Sequence, residues 1–201
     1  MVRFQSAVVV LLAAGLWAQD KPASSSRLPP QPKASLDPGA INAGIYRNSA
    51  FGFSYRIPFG WVDRTADMQD DSAAASQSRV LLATFERPPE APGDTINSAV
   101  VIAAEPIPAG IRSAGEYFAS LSSLTTAKGF QAEEEPHECL VGTARFVRGD
   151  FSKARGTLTV RQTSLVVLQK GHAVSFTFIG GSADEVNALI EKLSFGARKS
   201  H

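Results

Sequence analysis

Between residues 51 and 57, Phe51, Phe53, Tyr55 and Ile57 alternate with Gly52, Ser54 and Arg56. That period of two is the pattern of a half-buried strand. Pro58 ends it, because proline has no amide to give a sheet ladder, and Phe59-Gly60-Trp61 makes the turn. Residues 63–78 are polar and alanine-rich, carry Asp67, Asp70 and Asp71, and read as a loop or a short helix. Residues 79–86, with VLLATF at their centre, form a second strand stopped by Pro88-Pro89. Residues 96–105 form a third, with Val100 and Ile102 on one face and Val101 on the other. Apolar residues on both faces mark a strand covered on two sides.

The first clear helix opens at Ser113, with Glu116 at the capping-box spacing. Ala114, Tyr117, Phe118, Leu121 and Leu124 give it one apolar stripe, and Lys128-Gly129 supplies a stop. Strands follow over 130–135, 138–151, 156–170 and 172–179, with Lys170-Gly171 as a tight hairpin turn between the last two. A second helix repeats the capping chemistry with Ser182 and Glu185, and buries Val186, Leu189, Ile190 and Leu193. Strands, helix, strands, helix, joined by hairpins, predict an α+β fold around a mainly antiparallel sheet.

Upstream of this pattern the chain changes character twice. Residues 1–18 hold Arg3, a ten-residue apolar run from Ala7 to Leu16, and Ala18 before polar Gln19. Ten residues are too few to cross a bilayer, so the segment reads as a cleavable signal peptide. Residues 19–44 carry five prolines and several serines with no apolar period, and read as a disordered linker. Pro29-Pro30-Gln31-Pro32 in that stretch also suits an extended ligand helix. The periodic part, residues 45–198, is expected to be one domain, exported to the periplasm or beyond, with no stable membrane insertion.

Composition narrows the function classes. Of 201 residues 44% are hydrophobic, enough for one core, and the lone Cys139 excludes a disulfide scaffold. Lys plus Arg number 20 and Asp plus Glu 19, and removing a leader that holds Arg3 alone brings them to balance. A neutral chain offers nucleic acid no electrostatic reason to bind.

Tyr46-Arg47-Asn48, then Phe51-Gly52-Phe53-Ser54-Tyr55 and Pro58-Phe59-Gly60-Trp61, resembles the opening of PsbP-like domains. Those begin with a Tyr-x-Asn element, a Gly-Phe-x-Phe/Tyr strand and a Pro-x-Gly-Trp turn. The closing stretch from Gly171 to Phe178, followed by a capped helix, is also similar. The resemblance implies an α-β-α sandwich, a mainly antiparallel central sheet with helices on both faces, as in Mog-type Ran-binding proteins. It implies no catalytic residue. Read for packing, Pro58 pre-sets a corner, Gly60 permits the sharp turn and Trp61 closes one end of the core.

Few residues carry candidate chemistry. His137 and Cys139 lie among Glu133, Glu134, Glu135 and Glu138, but a metal needs three or four ligands meeting at a point, and one extended segment spreads them out. Pro136 favours a solvated edge strand there. No Gly-x-Ser-x-Gly elbow, phosphate loop or dinucleotide fingerprint occurs, and Gly180-Gly181-Ser182 is a helix cap. His201 is terminal, and His172 follows a turn glycine. Arg145, Arg148, Lys153, Arg155 and Arg161 concentrate positive charge, either as a solubilising face or as a docking patch for an acidic partner. Arg148-Gly149-Asp150 matches an adhesion tripeptide but also suits a hairpin.

The expected function is an exported, non-catalytic module that binds or helps assemble a protein partner in the envelope or outside the cell. The partner-binding candidates are Arg145, Arg148, Lys153 and Arg155, with no catalytic residue, metal or cofactor assigned. A carrier or enzyme with a pocket built from distant residues, His172 and the Asp67–Asp71 loop among them, is the alternative. A metal-dependent role for His137 and Cys139 is the third.

Overall fold

A computed structural model describes residues 36–72 and 78–196. The signal segment 1–18, the first part of the linker and His201 lie outside the described residues. So do the side chains of Asp70 and Asp71. In chain order the elements are β1 (Ala40–Asn42), β2 (Ile45–Asn48), β3 (Phe53–Arg56), β4 (Val62–Asp63), α1 (Thr65–Ser72), β5 (Arg79–Phe85) and β6 (Ala99–Pro106). Then come α2 (Ala114–Ala127), β7 (Gln131–Ala132), β8 (His137–Val141), β9 (Ala144–Arg155), β10 (Leu158–Gln169), β11 (His172–Gly180), α3 (Ala183–Ile190) and β12 (Leu193–Phe195).

The pairings build two antiparallel sheets. The larger runs β4-β5-β6-β11-β10-β9-β7, with β8 on the same edge of β9. The smaller runs β1-β2-β3-β12, so strands from both ends of the domain meet in it. The long β9-β10-β11 meander is set by its turns. Lys170 and Gly171 have φ of 50° and 75°, as the favoured two-residue hairpin requires.

Side chains alternate across a strand, and the clusters follow that alternation. Leu165 and Val167 of β10 join a core with Tyr46, Phe53 and Tyr55 of the small sheet and Val186 and Leu189 of α3. Val166, between them, joins Phe151 with Phe118 and Leu121 of α2. Gly149 is required for that second cluster, because a Cβ there would stand 2.5 Å from the Phe118 ring. Both helix caps form as the spacing predicts: Ser113 Oγ accepts from the Glu116 amide and Ser182 Oγ from the Glu185 amide, each at 3.1 Å. The reciprocal bonds land one residue early, with Glu116 accepting from Arg112 N and Glu185 from Gly181 N.

Four expectations are corrected. The stretch 36–44, read as linker, contains β1, and Tyr46 Oη donates to Pro38 O at 2.7 Å. The strand read over 138–151 is two strands, folded back at Gly142, whose φ of 61° and whose place against the Phe195 carbonyl both demand glycine. Leu193 leaves α3 and pairs with Tyr55 as part of β12. The third strand begins at Ala99 rather than Ile96.

Candidate functional site

Where β3 ends, Pro58 forces the chain off the small sheet, and Trp61 N donates back to Pro58 O at 3.3 Å. That tight turn turns Trp61 inward, half-buried against the main core, and leaves Phe59 fully exposed at the tip. Beside it, Ile57 N donates to Gly44 O at 2.9 Å, tying the turn to the β1–β2 hairpin. Ala43 in that hairpin has φ of 48°, a left-handed conformation that costs a side-chain-bearing residue about 1 kcal/mol. Together these segments line a groove of about 910 Å³, with Ile41, Ile57, Phe59 and Trp61 as apolar wall.

Its polar members are unevenly served. Asp63 accepts from the Thr65 amide at 2.9 Å and hydroxyl at 2.6 Å, so its carboxylate is engaged at the start of α1. Arg56 and Lys192 also line the groove, and neither side chain has an ion pair or hydrogen bond among the described residues. Thr84 reaches the groove from β5, fully buried, with a hydroxyl that has no hydrogen-bond partner. The Tyr55 hydroxyl in the adjoining core is likewise unpartnered, and burial pushes this phenol far up.

The predicted basic patch is divided. Alternation along β9 places Arg148 with Phe146 and Asp150 on one face and Arg145, Lys153 and Arg155 on the other. Arg148 holds Asp150 in a two-pronged contact at 2.8 and 2.9 Å and reaches Asn187 Oδ1 of α3 at 3.0 Å. Thr163 Oγ1 donates to the same Asp150 carboxylate. Burial pushes that carboxyl up, but the bonds from Arg148 and Thr163 outweigh it and hold Asp150 below the usual range. Arg148-Gly149-Asp150 is therefore mid-strand rather than in a hairpin, its charged pair docking α3 and its glycine admitting Phe118. Arg145 pairs with Glu138 at 2.6 Å and Arg161 with Glu133. Lys153 Nζ donates to the Lys128 carbonyl at 2.7 Å at the end of α2. Arg155 alone of the five is exposed and without a partner among the described residues.

The other candidates stay apart. His137 Nδ1 lies 3.7 Å from a Glu134 oxygen, while Cys139 packs half-buried against the main core, where burial pushes its thiol up. Among the described residues no three His, Cys, Asp or Glu side chains meet as a metal site. His172 Nδ1 is 2.9 Å from Lys170 O and its ring stands edge-on to Phe51, whereas Asp67 pairs with Arg64. Sequence reading missed Ile41, Arg56, Thr84 and Lys192, which come together only across strand pairs remote in the chain. The available signal was Phe59, an aromatic on a turn with one proline and one glycine beside it.

No protein-family profile matches the chain, and no curated protein matches it. Among solved structures it is similar to cyanobacterial PsbP (CyanoP) from Synechocystis sp. PCC 6803, with a TM-score of 0.50 and 14% identity, covering 78% of this chain and 96% of that one. LpqN of Mycobacterium tuberculosis, involved in cell envelope biogenesis, gives a TM-score of 0.44 and 11% identity over 72% of this chain and 83% of its own. A structure from Bacteroides thetaiotaomicron VPI-5482 gives 0.41 and 13% over 75% of this chain, which spans only 47% of that protein. No helix among the described residues is long and apolar enough to cross a membrane. At these identities the likeness to cyanobacterial PsbP establishes the fold, which is PsbP-like.

Proposed function

We propose that this chain is an exported, non-catalytic binding module, an α-β-α sandwich with α2 and α3 on opposite faces of the large sheet, and that it recognises its target through the groove at Pro58–Trp61. The observation that carries this is Phe59. A fully exposed phenylalanine beside a half-buried tryptophan forms an apolar surface that water does not favour and a partner would cover. The catalytic alternative has less support, because His172 lies against Phe51 and the Lys170 carbonyl, Asp67 pairs with Arg64, and Asp63, the carboxylate that lines the groove, is held by Thr65.

A protein docking patch on the other strand face remains a second surface, narrowed to Arg155 and Arg145. Arg155 has Leu158, 37% exposed, directly opposite on β10, and so joins charge to an apolar contact. Arg148 and Lys153 act instead within the chain.

Site-resolved photocrosslinking separates the two. A benzophenone amino acid is placed at Phe59 or at Leu158 of the full chain, in cells that produce it. A discrete light-dependent adduct at position 59, absent at 158, is expected. Equal adducts at both positions, or none at 59, would overturn the groove as the recognition surface.

A further inference from the structure

Arg56, the last residue of β3, lies beside Lys192, in the turn that leads into β12. Arg56 N donates to Lys192 O at 3.1 Å, and the next pair along, Tyr55 opposite Leu193, points both side chains into the core. Alternation turns Arg56 to the outer side of β3, and Lys192 lines the same groove. Like charges held side by side repel. Among the described residues no carboxylate relieves them: Asp63 is engaged by Thr65, and Glu191 forms no ion pair. Arg47 adds a third exposed cation on β2, one pleat along the same outer face, and it too has no ion pair. An anion seated between Arg56 and Lys192 turns that repulsion into two attractions.

The same groove presents Ile57, Trp61, Phe59 and Ile41, the last 44% exposed. Its volume of about 910 Å³ lies in the ordinary size range of small-molecule sites. Thr84, fully buried beneath it with an unpartnered hydroxyl, is a polar group that the chain itself does not satisfy. Aromatic and aliphatic side chains lining one groove with two cations that have no ion pair among the described residues have a definite complement.

We infer that the groove binds a single-tailed amphiphile with an anionic head, a carboxylate or a phosphate ester, its tail against Phe59 and Trp61 and its head between Arg56 and Lys192. The inference rests on the groove being the recognition site proposed above. It names the chemistry of the occupant, whether the head belongs to a free molecule or to a bilayer lipid.

The test uses the full chain carrying Trp17→Phe, which leaves Trp61 as the only tryptophan. Trp61 emission is followed on titration with octanoate, decanoate and methyl decanoate. Decanoate is expected to saturate and to bind more tightly than octanoate by up to about fourfold per added methylene. Methyl decanoate, with the same tail and no charge, is expected to bind at least about tenfold more weakly. Arg56→Gln and Lys192→Gln each weaken decanoate about fivefold and leave the ester unchanged, while Arg155→Gln changes neither. A parallel flotation with phosphatidylglycerol or phosphatidylcholine vesicles identifies the source. Saturation by decanoate without flotation assigns a free amphiphile, and flotation on phosphatidylglycerol alone, lost in the two glutamine variants, assigns a bilayer lipid. Ester binding as tight as decanoate, or no response in either arm, overturns the inference. In that case a protein adduct at position 59 still leaves the binding-module reading standing.

Discussion

Arg148 and Arg56 are both strand arginines, yet their surroundings are opposite. Around Arg148 the chain answers each charge from within: Asp150 faces it, Thr163 and Asn187 complete the contacts, and Glu138 and Glu133 pair the arginines nearby. Around Arg56 the nearest charged neighbour across the strand is another cation, and the Thr84 hydroxyl below is unbonded. The first region spends its polar groups on holding β9, β10 and α3 together. The second leaves them available. Density of charge along the sequence is thus a poor guide to unpaired charge, because charges that are close in sequence and opposite in sign neutralise one another.

The strongest way to break this comparison is Asp150→Ala. It strands Arg148 against α3 and removes the acceptor of Thr163, and about 3 kcal/mol of stability is expected to go in urea unfolding. Arg56→Ala is expected to stay within about 0.5 kcal/mol of the parent. Equal losses would erase the distinction between the two regions.

Acid sharpens it next. Asp150 is held below its unfolded value, so its contribution is complete above the ordinary carboxylate pKa of about 3.9 and is lost as pH falls through the lower folded value. Unfolding free energy measured from pH 6 to pH 2 is expected to drop at the acid end. Asp150→Asn, less stable at neutral pH, is expected to show a shallower drop there; an unchanged slope would remove Asp150 from the account.

A change of opposite sign belongs to the groove. Thr84→Val replaces an unpartnered buried hydroxyl with a methyl group of similar shape, and a gain of about 1 kcal/mol in thermal unfolding is expected. A loss would mean that the hydroxyl is satisfied. The smallest effect is expected at Arg145→Ala. Its pair with Glu138 leaves the two side chains 70% and 64% exposed, and less than about 0.5 kcal/mol should follow in the same melt.

What was legible in the sequence was local. Alternation of Phe53 and Tyr55 with Ser54 and Arg56 marks β3, and Ser113 and Ser182 mark the starts of two helices, because those signals are carried by neighbours. The split between β8 and β9 was missed because Gly142 interrupts an otherwise strand-like run. The small sheet was missed because β3 pairs with β12, a partner some 140 residues away in the chain. The groove was illegible for the same reason: Arg56 and Lys192 acquire their meaning only through that pairing. Pro58–Trp61 was read as a packing corner, which describes Trp61 and not Phe59.

The pairing of Phe53–Arg56 with Leu193–Phe195 also orders events in the life of the chain. β9, β10 and β11 are consecutive hairpins and can zip as soon as they exist, whereas β3 waits for a partner far along the chain. A chain cut short before Lys192 keeps the other residues that line the groove but leaves Arg56 without that neighbouring cation. The two cations thus stand side by side only once the segment around residues 192–195 has joined β3.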